Sequence, residues 1–207
     1  METLEETPPV NPWLSVWVHP RKTIRQVIAE EKEGILYTLA AMVGITNSIN
    51  NAGSSVVNEG ATMLWAAIVV LIIGPLAGIF GMFVAAWVLE KTGNWLGGLG
   101  TRHELKYAFG WANVPSIISL IALLLVLPYA GEALFNNSPD AAGEMSIIEG
   151  LLLLAYGLLA IAMGIWTFIL YIGMIAEVHQ FSAWKAFLSL MLPAIAIGLI
   201  VGIVTMM

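Results

Sequence analysis

Residues Glu90–Ser116 read EKTGNWLGGLGTRHELKYAFGWANVPS, and their setting decides the fold. Gly93, Gly97, Gly98 and Gly100 and a knot of charge stand between two long apolar runs. A phosphate-cradling loop needs glycines at set spacing after a strand, followed by lysine and a hydroxyl residue. Here Thr101 and Arg102 follow Gly100, and an apolar run precedes, so neither nucleotide fingerprint is met. Glycine also permits tight turns between helices and close backbone approach, which accounts for the stretch as a turn.

The chain on either side supports the turn. Hydrophobic residues make up 59% of the 207 residues and charged residues only 11%, with a mean hydropathy of +0.87. Several apolar runs exceed the roughly 20 residues that cross a bilayer core as helix. The pattern predicts an all-α membrane protein, because an open chain in lipid must bond its backbone within each segment. Five spans are expected at about 35–57, 62–89, 107–130, 147–176 and 183–206, with tilt or extension in the long second and fourth. Pro75, Pro115 and Pro193 are expected to kink them.

All eight Lys and Arg fall on one predicted side: Arg21, Lys22, Arg25, Lys32, Lys91, Arg102, Lys106 and Lys185. The other side holds only acids, among them Glu59, Glu132, Asp140, Glu144 and Glu149. The positive-inside rule therefore places the N-terminus in the cytoplasm and the C-terminus outside, in a multi-pass protein of the cell (inner) membrane. The acidic start METLEETPPV lacks a basic region before an apolar segment and is not read as a cleaved signal. No cysteine is present, which excludes disulfides, thiol catalysis and thiolate metal sites.

Three divisions follow: an acidic, disordered start over 1–10, an interfacial segment over 11–33, and a five-span unit over 34–207. In the second, Asn11 and Pro12 read as N-cap and first helical position. Trp13, Leu14, Trp17 and Val18, then Ile24, Val27 and Ile28, recur at helical spacing among Arg21, Lys22 and Arg25. Short amphipathic helices on the cytoplasmic leaflet are expected, anchored by Trp13, Trp17 and those cations. A partner-binding helix has the same periodicity.

Polar residues inside the spans carry the remaining chemistry. Asn47, Asn50, Asn51, Ser54, Ser55 and Asn58 fall within an arc of about 140° at helical periodicity. Amides cannot face lipid unsatisfied, so this face looks into the bundle, toward another subunit or into a wet external cavity. Gly74 with Gly78 and Gly81, and Gly198 with Gly202, have the spacing that lets helices approach closely, within a protomer or between copies. At the cytoplasmic ends stand Glu90, His103, Glu104, Glu177 and His179. Converging, they would hold a divalent cation or relay protons; otherwise they form salt bridges with Arg102, Lys106 and Lys185. Glu177 and His179 are two positions apart, so they share a site only if the helix ends between them.

The stretch GGLGTRHELKYAFGWANVP resembles the motif that opens the third span in the Yip (Ypt-interacting protein) family. Gly97, Gly98 and Gly100 supply the turn, and Trp111, Val114 and Pro115 match its aromatic-small-Val-Pro segment. NPWLSVWVHPRKTIRQVI and IGMIAEVHQFSAWKAFLSLMLP, which contains Glu177, are similar to the same family's short prokaryotic-type members. The resemblance implies a five-span fold from Asn11 onward. Larger eukaryotic members bind Rab-type GTPases through a long cytosolic region, whereas 34 residues precede the first span here.

His19, His103 and His179 form no HExxH, no serine stands in a nucleophile elbow, and no catalytic carboxylate pair emerges. The chain is expected not to be an enzyme and to carry no cofactor, a divalent cation being the one ligand its Glu/His set would hold. A scaffold, membrane-organising or partner-binding role is expected. Membrane lipids, a second copy or a protein partner are its counterparts, and nucleic acid is not. The alternative is a small transporter, channel or metal permease using the Asn/Ser stripe outside and the Glu/His set inside.

Overall fold

A computed structural model describes residues 10–59, 68–135 and 145–206, and all of their regular structure is helical. Helices α1 (Pro12–Ser15), α2 (Pro20–Glu30) and α3 (Glu33–Glu59) are followed by a π-helical turn, Val69–Ile73, running into α4 (Gly74–Trp95). Then come α5 (Arg102–Ala112), α6 (Val114–Phe135), α7 (Ile147–Val178) and α8 (Ala183–Met206).

Among the described residues, four stretches are long and apolar enough to cross a membrane: Val69–Trp95, Arg102–Gly131, Ile147–Val178 and Ala183–Ile203. Helix α3 has the length, 27 residues, but is not one of the four. Its Asn/Ser-rich second half lowers its apolarity.

The prolines act unequally. Pro75 follows a π-turn in which the Gly74 N–H reaches back to the Val69 carbonyl, a widening that accommodates the missing proline donor. Pro115 lies just beyond the break between α5 and α6 at Asn113. Pro193 does not interrupt α8. A break that the apolar pattern does not mark lies at Ala130, two residues after Pro128, where φ is −135° and ψ is 18°.

Helices α3 and α4 make the most extensive contact, followed by α6 and α7, while α4 and α7 both pack on α5 and on α8. The α3–α4 crossing is a glycine contact. A Cβ on Gly78 would lie 2.8 Å from the Gly44 backbone, and one on Gly74 would lie 2.7 Å from Ser48 Oγ. The Gly74–Gly78 pair thus serves packing inside the protomer, whereas Gly81, Gly198 and Gly202 have nothing within 4 Å of a Cβ position.

The core is concentrated at the end that carries the basic residues. Short helix α5 buries Leu105, Tyr107, Ala108, Trp111 and Ala112 there, against Leu36 and Leu39 of α3, Ala86 and Leu89 of α4 and Met174 and Ile175 of α7. A second, smaller cluster, Ile49, Leu120 and Leu123, lies further along.

Helix α2 corrects the interfacial expectation in part. Its apolar face, Ile24 and Val27, together with Val16, joins the main core instead of being kept for lipid. Pro20 lies against Gly173 of α7. Asn11 does cap α1, its side chain accepting from the Trp13 N–H, with Pro12 in the first turn. Gln26 ties the segment down, accepting from the Val10 N–H at 3.1 Å and donating to the Val10 carbonyl at 2.9 Å. Arg21, Lys22 and Arg25 remain exposed, as do Trp13, Leu14 and Val18.

Candidate functional site at the basic end

The glycines of the opening stretch build a socket. Helix α4 ends in a Schellman motif: the Gly98 N–H reaches the Gly93 carbonyl at 2.9 Å and the Gly97 N–H reaches that of Asn94 at 3.0 Å. Gly97 takes the left-handed conformation this cap requires, with φ at +84°. Helix α7 ends in the same way, with Gln180 at φ 55°. There the Phe181 N–H reaches Ala176 and the Gln180 N–H reaches Glu177.

His179, the C-cap of α7, fills the socket and is fully buried. Its Nδ1 accepts from the Gly100 N–H at 3.0 Å, and its Nε2 lies 3.2 Å from the Leu89 carbonyl. An acceptor at Nδ1 and a donor at Nε2 define one neutral tautomer. Burial pushes the imidazole below its usual value of 6.5, so the neutral ring persists near neutrality; the Leu89 carbonyl opposes that shift more weakly. The glycines make room for the ring. A Cβ on Gly93 or Gly98 would overlap it, and one on Gly100 would lie 2.9 Å from Nδ1. The Leu99 N–H also reaches the His179 carbonyl at 3.2 Å, and Lys185 Nζ donates to the Leu96 carbonyl at 2.9 Å.

The other ionisable residues of this end are paired separately. Arg102 holds Glu90 at 2.9 Å, and its backbone N–H donates to the same carboxylate. Arg25 of α2 holds Glu177 of α7 at 2.8 Å. Glu104 completes a capping box with Thr101 at the start of α5. His103 lies 3.9 Å from Glu31, and Lys106 lies 3.4 Å from Glu33.

The five predicted Glu and His residues therefore occupy one end but do not converge. Glu104 and Glu177 line a common cavity of about 290 Å³ with Arg25, while His179 turns into the glycine socket. Helix α7 does end at Val178, between Glu177 and His179, and the two side chains separate there. Among the described residues, no three His, Asp or Glu side chains are arranged to hold a metal ion.

The rest of the family-like motif lies in the buried interior beside this site. Trp111 and Val114 are buried, and Pro115 follows the α5–α6 break. At that break Asn113 Nδ2 donates to the Phe109 carbonyl at 2.8 Å and to the Tyr171 hydroxyl at 2.5 Å. A hydroxyl pair that the apolar pattern does not single out, Thr92 and Ser189 at 2.9 Å, joins α4 to α8 in the buried interior.

The asparagine face lies elsewhere. Asn47, Asn50 and Asn51 are exposed on α3, and Asn51 Nδ2 donates to the Asn47 carbonyl at 2.7 Å. The side chains of Ser54, Ser55 and Asn58 lie outside the described residues, as do residues 1–9, 60–67 and 136–144. The acidic start, Asp140 and Glu144 fall there too, as does the side chain of Glu132.

Four membrane-length apolar helices among the described residues and a glycine turn leading into the buried Trp111–Pro115 segment are thus in place, and a family model decides the matter. The Yip1 domain matches residues 14–206. The chain belongs to the Yip family. Neither the curated proteins nor the solved structures yield a match. With four helices able to cross a bilayer, this Yip-domain chain is an integral membrane protein.

Proposed function

We propose that this Yip-domain chain is a five-span, non-catalytic scaffold that organises partners or copies of itself in the cell membrane. Its basic end and N-terminus face the cytoplasm. The observation that carries the reading is the fate of the charged residues at the basic end. Glu90, Glu177, Glu104 and His179 are each held by a neighbour that fixes a helix end or joins two helices. That arrangement supports a rigid platform more than a site poised for turnover.

Helix α3 serves as the fifth span in this account. The positive-inside rule favours the orientation, since the ion pairs and the Lys185 contact draw the basic residues of α2, α5 and α8 to one end. A face carrying Asn47 and Asn50 is costly against lipid and favourable against another helix, where amide pairs contribute about 0.6 kcal/mol each. It is the face we assign to self-association or to a membrane partner.

A photo-cross-linker at position 50, activated in native membranes, tests this. A discrete cross-linked species of fixed mass supports the scaffold reading. Cross-links to lipid alone, together with ion flux in liposomes that Asn50→Leu abolishes, would replace it with a transport function.

A further inference from the structure

A second cavity, of about 370 Å³, opens between the N-terminal segment and α5, within the roughly 300–1,000 Å³ typical of ligand sites. Trp13 and Trp111 form its aromatic corner, with ring centroids 5.1 Å apart and planes at 55°. Tyr107 lines it one helical turn from Trp111, and the buried Tyr107 hydroxyl has no hydrogen-bond partner among the described residues. Such an orphaned buried group is a cost that a ligand can relieve. Glu30 and Lys32 complete the lining as an ion pair of 2.8 Å. The Lys32 ammonium, with help from Gln26, holds the Glu30 carboxyl below its ordinary value, so a full negative charge stands there.

We propose that this cavity binds a zwitterionic headgroup in which an ammonium is carried beside a phosphate, as in phosphoethanolamine or phosphocholine. The inference goes beyond the scaffold reading and does not depend on it. Tilted tryptophan faces attract an organic cation, most strongly where water is excluded. A carboxylate beside them completes the cation's partners. The phosphate then takes Lys32, so that one internal ion pair is exchanged for two pairs with the ligand and no charge is left uncompensated. Trp13, Leu14 and Val18, exposed by 42%, 71% and 69%, stand in and beside the same segment. They give apolar chains attached to the headgroup a surface to follow, which makes a membrane phospholipid a fitting source.

The test is native mass spectrometry of the full chain in mild detergent. Phosphatidylethanolamine, phosphatidylcholine and phosphatidylglycerol of identical acyl chains are added in turn. We expect at least one zwitterionic lipid to be retained fivefold or more over phosphatidylglycerol. Glu30→Gln, which removes the half-buried carboxylate, and Trp13→Ala are each expected to cut that retention at least fivefold, while Trp184→Ala, exposed and outside the cavity lining, leaves it unchanged. Displacement of the lipid by millimolar phosphoethanolamine or phosphocholine would assign recognition to the headgroup alone. Failure of displacement, with the selectivity intact, would assign it to the anchored lipid. Equal retention of all three lipids, or retention by Glu30→Gln within twofold of the parent, overturns the proposal.

Discussion

Replacing His179 with alanine should loosen the whole basic end. The ring is fully buried, and its removal leaves both a hole between three glycines and the Gly100 N–H without its acceptor. An orphaned buried donor costs about 1–3 kcal/mol. Truncating a large buried side chain costs about 3–5 kcal/mol for an aromatic ring, and imidazole is smaller. Together these give roughly 3–5 kcal/mol for His179→Ala. His179→Phe keeps a ring but not the acceptor and should lose only about 1–3 kcal/mol.

Gly93→Ala attacks the same contact from the other side, since its new Cβ overlaps the imidazole. Overpacking of this kind costs about 1–3 kcal/mol. The two changes should not add. In the double variant the alanine methyl occupies space the ring has vacated, and a coupling of about 1 kcal/mol or more is expected. Reversible unfolding in mixed micelles, followed by tryptophan fluorescence, measures all four proteins of the cycle. An additive cycle, or a His179→Ala variant within about 0.5 kcal/mol of the parent, would refute the socket.

Other outcomes follow from the same structure. The His179 imidazole is held below its unfolded value of 6.5, so its neutral form contributes stability that is complete above that value and is lost as pH falls toward the folded one. Parent stability should therefore decline below about pH 6.5 more steeply than that of His179→Phe, as read by Tm against pH. Gly44→Val forces α3 off α4 and should cost at least about 2 kcal/mol, whereas Gly198→Ala, with open space around it, should stay within about 0.5 kcal/mol. The guanidinium of Arg25 is largely exposed, so Arg25→Ala should cost less than about 1 kcal/mol despite breaking the pair with Glu177. Because the chain has no cysteine, single cysteines report topology directly. Arg21→Cys should resist an impermeant thiol reagent in intact cells, and Met145→Cys should react.

Much of the fold was legible because bilayer thickness imposes long apolar runs and the charge pattern orders them. The ends of α3, α7 and α8 and the gathering of the cations follow from those two constraints, and the Asn11 cap from the Asn-Pro pair that opens α1. What the residue pattern did not reveal was pairing across distance. Gly93, Gly98 and Gly100 read as a turn, yet three of the four glycines clear space for a side chain some 80 positions away. Periodicity within one helix carries no information about which residue of another fills its gap. Helix α2 shows the same limit: its amphipathic pattern is real, but lipid and protein are equally apolar partners. Pro128 and Pro193 differ in effect although both sit in apolar helices, since the outcome rests on how neighbours satisfy the freed carbonyl.

The most direct test of the account is native mass spectrometry of the parent and Glu177→Ala after exposure to Zn²⁺ or Mn²⁺ and washing. The same metal-free assembly of more than one copy is expected for both proteins. A divalent ion retained by the parent and lost from Glu177→Ala, on a monomer, would contradict it.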